Sequence, residues 1–590
     1  MSAAEMKAGD LLARDAGSTK GCRLYRPLSR LAGIACYFYY SEIEISGLEH
    51  LPGDGIPTVV AAAHPAQHVD AFLIVGRIPI RARSFFRPIA RDKEFRNKSL
   101  LGWFLESGGC LPIMRQSDYE GQQIGAANAK LNSRLIEELG NGQAILLSPE
   151  GRTLYQPHMA SLKTGIARTV SDTLTAHRDE PDWKVVIANV SLCYLHRERF
   201  RSKVLLRFNE PIILTPRTHP ELICNAETGK LDDFAGVRAL TELMGTRIKE
   251  GMLDLDTWDT TRQAIIARSI LQPLDAPRPS LSDYVTQAQN IGLAIMDADF
   301  YHDSENSEKS SQTGKSTPSS PIVPTLGKDS SRMIISFSEK SIESSEEGRK
   351  SMLPDQLLNY LNRLEAFGIN DHDLMHVATQ HSIWLLLQLL VRIIVTPVIG
   401  AFAIPATILL APMFLMCSYS CGKMAKGRPN SEGEDCVRLM QSRVRILAGF
   451  VGLIVSWFLC LIVLVVVAVT VDKAHWVWPI LLVVPVLQFL SIKVIEFFYA
   501  STRTGLVFCY ILTSRLRGSS AIPEMQAART QLHTQLQALV KASPYAAKCT
   551  TTSQPRGKVW LLRDAIYRVA IGRQPDWSDC LSLHDQTRYK

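Results

Sequence analysis

The alternation of apolar and polar positions divides the chain into a layered first half and an apolar second half. Between Pro57 and Ile213, short apolar runs (TVVAAA, AILLS, VVIANVSL and VLLRF) are separated by polar stretches of helical character, the clearest from Gly121 to Leu139. Apolar strands alternating with helices predict an α/β layer structure, a mixed sheet flanked by helices. Upstream, Leu31 to Tyr40 reads LAGIACYFYY, too brief to span a bilayer as a straight helix. An interfacial or re-entrant anchor and an ordinary buried helix both fit it. The stretch Asp303 to Ser351 is rich in Ser, with mixed charge and no periodic apolar face, which predicts a disordered linker. Within it, Thr317-Pro318 and Ser320-Pro321 are pairs suited to proline-directed kinases. Beyond it, Leu357, Leu361, Leu364 and Phe367 keep helical spacing and Gly368 stops the helix, giving a short amphipathic element.

Apolar residues then concentrate between Ser382 and Leu512, a membrane signal. Ser382 to Met416 holds only Arg392 and is punctuated by Pro397, Pro405 and Pro412, so a bent, hairpin-like insertion is expected that returns to its own side. Ile446 to Val471 has no charged residue and is long enough to cross once, and Trp476 to Ile492 is a shorter candidate with Trp476 and Trp478 suited to an interface. Lys423, Lys426, Arg428, Arg438, Arg443 and Arg445 precede the uncharged span, and Arg503, Arg515 and Arg517 follow the last one. The turn Asp472 to His475 carries one Lys. This asymmetry places both flanks in the cytosol and the turn in the lumen.

Composition adds limits. At 590 residues the chain exceeds what one core usually serves, and 46% hydrophobic residues with a mean hydropathy of +0.03 fit a soluble part joined to a membrane part. A net charge of +8 without a basic run interleaved with aromatics suits anionic lipid surfaces and acidic substrates, not nucleic acid. The 12 cysteines are scattered without a repeated spacing, which argues against a zinc ribbon and for free thiols. Met1 to Lys20 is polar and lacks the apolar centre of a secretory signal.

Candidate chemistry lies at strand ends. The run Thr58 to Ala63 delivers His64 into HPAQHVD, which ends at Asp70. A His beside a carboxylate is the arrangement of a general base whose imidazole a second group orients. On a continuous helix, residues six apart face away from each other, so the pair meets only if His64 sits in a loop and Asp70 in the next helix. In GCLPIMR, Arg115 emerges from an apolar stretch and needs an anionic partner, either a structural carboxylate or a ligand phosphate. In LLSPEGRTL, Glu150 and Gly151 follow a strand, with Arg152 and then Lys163 beyond, bringing hydroxyl-binding and phosphate-binding groups to one sheet edge. A plain turn with solvated charges suits any one of these residues but not the ordered set.

HPAQHVD, GCLPIMR and SPEGRT, in this order, resemble the first three signature blocks of the glycerolipid acyltransferase superfamily, and VVIANVSLCY resembles the fourth. The likeness is greatest to fungal-type glycerol-3-phosphate and dihydroxyacetone-phosphate acyltransferases, which have five residues between the first-block His and Asp. LHRERFRSKVLLRFNEPI and LLNYLNRLEAFGINDHDL resemble further stretches of that branch. The resemblance implies a general base, His64, its partner Asp70, and acceptor binding by Arg115, Glu150, Gly151 and Lys163, with no metal, no cofactor and no covalent enzyme intermediate. Acyl-CoA is then a substrate, glycerol 3-phosphate or dihydroxyacetone phosphate the acceptor at its sn-1 hydroxyl, and membrane lipid the surroundings. Ser148, Arg152, Thr153, His68 and Asn189 depart from the family pattern. The alternatives are a lysophosphatidate acyltransferase and a non-catalytic membrane scaffold. The expected organisation is an N-terminal segment with a short membrane-associating helix (1–41), an acyltransferase domain (42–302), the Ser-rich linker (303–351), an amphipathic helix (352–381), a C-terminal α-helical transmembrane region (382–512) and a cytosolic tail (513–590). The expected location is the endoplasmic reticulum membrane, with the catalytic domain facing the cytosol.

Overall fold

Thr58–Ala62 (β2) is buried along its whole length, because it lies in the middle of the sheet between β5 (Ala144–Leu147) and β6 (Val185–Tyr194) and runs parallel to both. A strand covered on both faces must be apolar throughout, as TVVAA is. The computed structural model describes residues 24–96, 100–115, 118–119, 125–197, 199–273, 279–311, 353–426, 433–470 and 477–549. The remaining strands are β1 (Glu42–Ser46), β3 (Arg87–Arg91), β4 (Leu111–Ile113), β7 (Lys203–Phe208) and β8 (Ile212–Leu214), and the sheet order is β1-β7-β6-β2-β5-β3-β4 with β8 on β6. Pairs β6/β7 and β6/β8 are antiparallel and the others parallel, so the sheet is mixed. The C-terminal ends of β2, β5, β3, β4 and β6 all reach the same edge.

Helices α1 (Tyr25–Tyr39), α2 (His68–Arg77), α3 (Asp92–Arg96), α4 (Leu100–Ser107), α5 (Gly125–Gly140), α6 (Gly165–Ala176) and α7 (Ala235–Lys249) accompany the sheet. Helix α1 buries Leu28, Ala32, Cys36 and Tyr39 in the domain core while leaving Leu31, Ile34 and Tyr37 between 42% and 49% exposed. It is therefore a core helix with an apolar outer face. It crosses α2 at a glycine pair: a Cβ on Gly33 would lie 2.2 Å from the Gly76 carbonyl oxygen. Any side chain there would drive α2, and with it Asp70, away from the sheet.

A second, all-helical unit has its own core. Helices α8 (Trp258–Leu271), α9 (Leu281–Ser311), α10 (Leu353–Phe367), α11 (Asp371–His376) and, later in the chain, Ala521–Ala542 meet around Ile270, Leu357, Leu364, Phe508, Met525 and Leu536. Arg529 forks onto Asp371 at 2.8 and 3.1 Å, and the Tyr360 hydroxyl donates to the same carboxylate at 2.6 Å, so the buried charge is fully bonded. Two expected boundaries are corrected. Helix α9 runs past the predicted start of the linker at 303, and the region from 513 contains a packed helix in place of a tail. Much of what the apolar face of Ala521–Ala542 packs against lies more than 100 residues upstream, which a local reading does not reveal.

Three helices are long and apolar enough to cross a membrane, within α12 (Ser382–Lys426), α13 (Gly433–Thr470) and α14 (Val477–Leu516). Helix α12 is continuous, so the expected hairpin is not formed. Its prolines are accommodated between α13 and α14, where neighbouring polar groups reach the backbone: the Ser456 hydroxyl donates to the Leu409 carbonyl. At 45 residues it is longer than the roughly 20 needed to span a bilayer. The second half of α14 leaves the apolar region and continues into the helical unit, where Val507, Phe508 and Ile511 are buried. The transmembrane region therefore does not extend uniformly to 512. Residues 312–352, with Thr317-Pro318 and Ser320-Pro321, the turn Asp472 to His475, and the segments 1–23 and 550–590 lie outside the described residues.

Arg201 fastens the two parts together. It is 2% exposed, adopts φ of 62°, and bonds Glu496 of α14 at 2.6 Å together with the carbonyls of Tyr37, Phe38 and Tyr40 at 3.1, 2.9 and 2.9 Å. One guanidinium thus ties the loop between β6 and β7, the end of α1 and a membrane helix.

Candidate active site

His64 stands just past the end of β2, and the chain turns at Gln67, which takes φ of 60°, before α2 begins at His68. Asp70 falls in the first turn of α2. The turn brings His64 Nδ1 to 3.0 Å from Asp70 Oδ2, with the His64 side chain 24% exposed and that of Asp70 3%. Asp70 is further held by the Ala66 amide, which donates to Oδ2 at 2.9 Å, and by the Tyr194 hydroxyl, which donates to Oδ1 at 2.5 Å. A buried carboxylate with three donors is compensated and fixed in place. Among the described residues nothing else bonds the imidazole, which leaves Nε2 free on its open side.

Tyr194 was not singled out by sequence reasoning. It is the last residue of β6, the strand parallel to β2, and burial and the Asp70 charge push its phenol well above the usual value, keeping it a neutral donor. The available signal was its place at the end of VVIANVSLCY, opposite the strand that delivers His64.

Glu150 follows β5, the other neighbour of β2. Its Oε1 accepts from the His64 backbone amide at 2.7 Å and its Oε2 from the Ala160 amide at 3.0 Å. Burial raises its pKa, against the lowering effect of those two amides. With 6% exposure and an amide donor on each oxygen, Glu150 clasps the backbone around His64. Gly151 needs φ of +64°, and a Cβ there would come within 2.9 Å of the Lys163 side chain, which lies across it. Lys163 is exposed, and its amide donates to the Pro149 carbonyl at 2.8 Å, closing the loop between them.

Arg115 emerges after β4 at the same edge, three strand spacings from β2, a backbone separation of roughly 14 Å. No hydrogen bond or ion pair to its guanidinium is found among the described residues. Burial, and next the nearby Arg91, lower its pKa, with Asp118 and Glu94 acting in the opposite sense. Arg91, at the end of β3 between them, forks onto Asp118 at 3.0 and 2.7 Å, and so is occupied where Arg115 is not. The structure thus joins His64, Asp70, Glu150, Gly151 and Lys163 into one cluster and sets Arg115 apart at the same edge of the sheet. Among the described residues no group of His, Cys, Asp and Glu has the arrangement of a metal site.

The acyltransferase family model matches residues 42–192, and the model for the glycerol-3-phosphate acyltransferase 2 C-terminal domain matches residues 332–545. These matches support a glycerolipid acyltransferase. The chain is similar to glycerol-3-phosphate O-acyltransferase 2 of Saccharomyces cerevisiae, with 21% identity over 301 residues, 51% of this chain and 33% of that protein. It is also similar to an uncharacterized acyltransferase of Schizosaccharomyces pombe, with 36% identity over 84 residues, 14% of this chain and 12% of that protein. The matched stretches span a third or less of these relatives' own lengths. The C-terminal match takes in α10 to α14 and the helix Ala521–Ala542.

Proposed function

We propose that the protein transfers an acyl group from acyl-CoA to the sn-1 hydroxyl of glycerol 3-phosphate or dihydroxyacetone phosphate. The carrying observation is the His64–Asp70 contact at 3.0 Å with the imidazole open on its other side. In this reading Nε2 of His64 accepts the acceptor's hydroxyl proton as the oxygen attacks the thioester carbonyl, forming a tetrahedral intermediate. The carbon–sulfur bond then breaks, and the imidazolium returns the proton to the departing coenzyme A thiolate. Asp70 holds Nδ1–H and stabilises the imidazolium, while Tyr194 and Glu150 position Asp70 and the His64 backbone. Arg115 and Lys163 bind the phosphate. Initial rates of the purified protein with acyl-CoA and each of glycerol 3-phosphate, dihydroxyacetone phosphate and lysophosphatidate test it. The two three-carbon phosphates are expected to give kcat/KM well above lysophosphatidate, and the reverse order overturns the assignment.

Tyr194→Phe removes one charge-assisted hydrogen bond from Asp70. A loss of about 1.5–3 kcal/mol corresponds to a fall in kcat of roughly tenfold to a hundredfold, with KM for the acceptor little changed. Arg115→Lys keeps the charge but loses the two-pronged donor, so the KM for the phosphorylated acceptor is expected to rise while that for acyl-CoA stays constant. Steady-state titration of each substrate against fixed excess of the other separates the two effects.

We place the protein in the endoplasmic reticulum membrane with the catalytic domain in the cytosol. Ile446 packs in the acyltransferase core and Glu496 bonds Arg201, so both flanks of the α13–α14 connection touch that domain. A glycosylation acceptor inserted on a spacer at Asp472 is expected to be modified in microsomes.

A further inference from the structure

The donor assigned above is far larger than the three-carbon acceptor. A cavity of about 1170 Å³ lies between the acyltransferase domain and the helical unit, walled by the end of β6, by α8, by α10 and the loop after it, and by the second half of α14. Its lining is cationic: Arg197, Arg262, Arg268 and Arg503 contribute to it, against Glu365 and Asp371, of which Asp371 is already paired with Arg529 at 2.8 Å. One wall is aromatic. The rings of Tyr155 and Trp258 lie 5.0 Å apart, and the Arg197 guanidinium is 5.8 Å from each. The cavity also borders the site. Tyr194, whose hydroxyl donates to Asp70, is part of its lining, and Tyr155 and Pro157 belong to the loop that has Gly151 at one end and Lys163 at the other.

We propose that this cavity holds the nucleotide end of the acyl donor, the 3′-phosphorylated adenosine diphosphate of coenzyme A, with the pantetheine arm passing the Gly151–Lys163 loop to reach His64. The proposal rests on the acyl-CoA reading given above. Phosphates in a partly enclosed space require cations able to replace their water, and guanidinium groups do this with directed pairs of donors. A purine requires a flat apolar or cationic face, which Tyr155, Trp258 and the Arg197 guanidinium provide. Other occupants fit less well. A three-carbon phosphate is small for the volume, and a fatty chain would meet charged walls on two sides. Arg262 of α8 bonds Glu365 of α10 at 3.2 Å and Asn362 at 3.1 Å, while Arg503 of α14 bonds Asn370 at 3.1 Å. A phosphate displacing Glu365 would be gripped from α8 and α14 together, which makes the helical unit part of donor recognition.

Binding of coenzyme A and of 3′-dephospho-coenzyme A to the full chain in nanodiscs, followed by calorimetry, tests this without depending on turnover. The wild type and His64→Ala are expected to bind coenzyme A alike and to favour it over the dephospho form. The double variant Arg262→Gln/Arg503→Gln is expected to weaken coenzyme A binding at least tenfold and to lose that preference. Thr261→Trp fills the cavity from α8 without removing a charge and is expected to weaken both ligands at least tenfold, so it decides the matter should the double variant be unstable. Wild-type affinity in Thr261→Trp and in a folded double variant overturns the proposal while leaving the acyl-CoA reading intact. Failure of the wild type to bind coenzyme A overturns both.

Discussion

His64→Ala is expected to lower kcat by roughly 10² to 10⁴, the usual worth of a positioned general base. Expression, membrane insertion and melting temperature should be retained, because the ring is 24% exposed on its side chain and Glu150 bonds the backbone of residue 64 whatever its side chain. Asp70→Asn is expected to approach the same loss by another route. Asn retains an acceptor for one of the donors from Ala66 and Tyr194, but its amide group places a donor against the other or against His64 Nδ1–H, turning the imidazole or its tautomer. Initial-rate assays at saturating acyl-CoA measure both. An Asp70→Asn enzyme of wild-type rate would remove the orienting role of the carboxylate.

The second large effect is structural. Arg201→Ala removes four bonds at once, those to Glu496 and to the carbonyls of Tyr37, Phe38 and Tyr40. Breaking a buried ion pair from one side costs about 3–5 kcal/mol. Lys493, 2.7 Å from Glu496, still neutralises that carboxylate, so the lower end, about 3 kcal/mol, is expected. Thermal unfolding of the detergent-solubilised protein measures it. Arg201→Gly serves as the comparison, since it loses the same bonds but relieves the φ of 62° that Ala would retain, and should melt higher than Arg201→Ala. Equal melting of Arg201→Ala and wild type would show that the acyltransferase domain does not depend on its fastening to α14.

The central strands were legible because burial on both faces leaves a continuous apolar run, as in Thr58–Ala62 and Val185–Tyr194. Strands β1 and β3, where charged residues interrupt the apolar run, were not. In β1 the carboxylate of Glu44 accepts from the amides of Leu281 and Ser282 at 2.8 and 3.0 Å and caps α9, a role assigned by a segment far along the chain. In β3, Arg87 is fully buried because Glu138 of α5 lies 3.3 Å away. The same limit applied at the site. The turn needed to join His64 to Asp70 follows from their spacing, but Tyr194 and the true partners of Glu150 are set by which strands are neighbours. The charge on Glu150 suggested a ligand group, and the two backbone amides that bond it come from segments its own local sequence does not reveal. In the membrane region the prolines of α12 suggested a hairpin, and helix–helix packing overrode that local preference.

The most direct measurement is a coupled count of products. Purified protein in nanodiscs is given radiolabelled acyl-CoA and glycerol 3-phosphate, and labelled acyl glycerol phosphate and free coenzyme A thiol are counted over time for the wild type and for His64→Ala. The account predicts equal amounts of the two products from the wild type and near-background amounts of both from His64→Ala. Thiol release without acylated acceptor, or equal acyl transfer by His64→Ala, would contradict it.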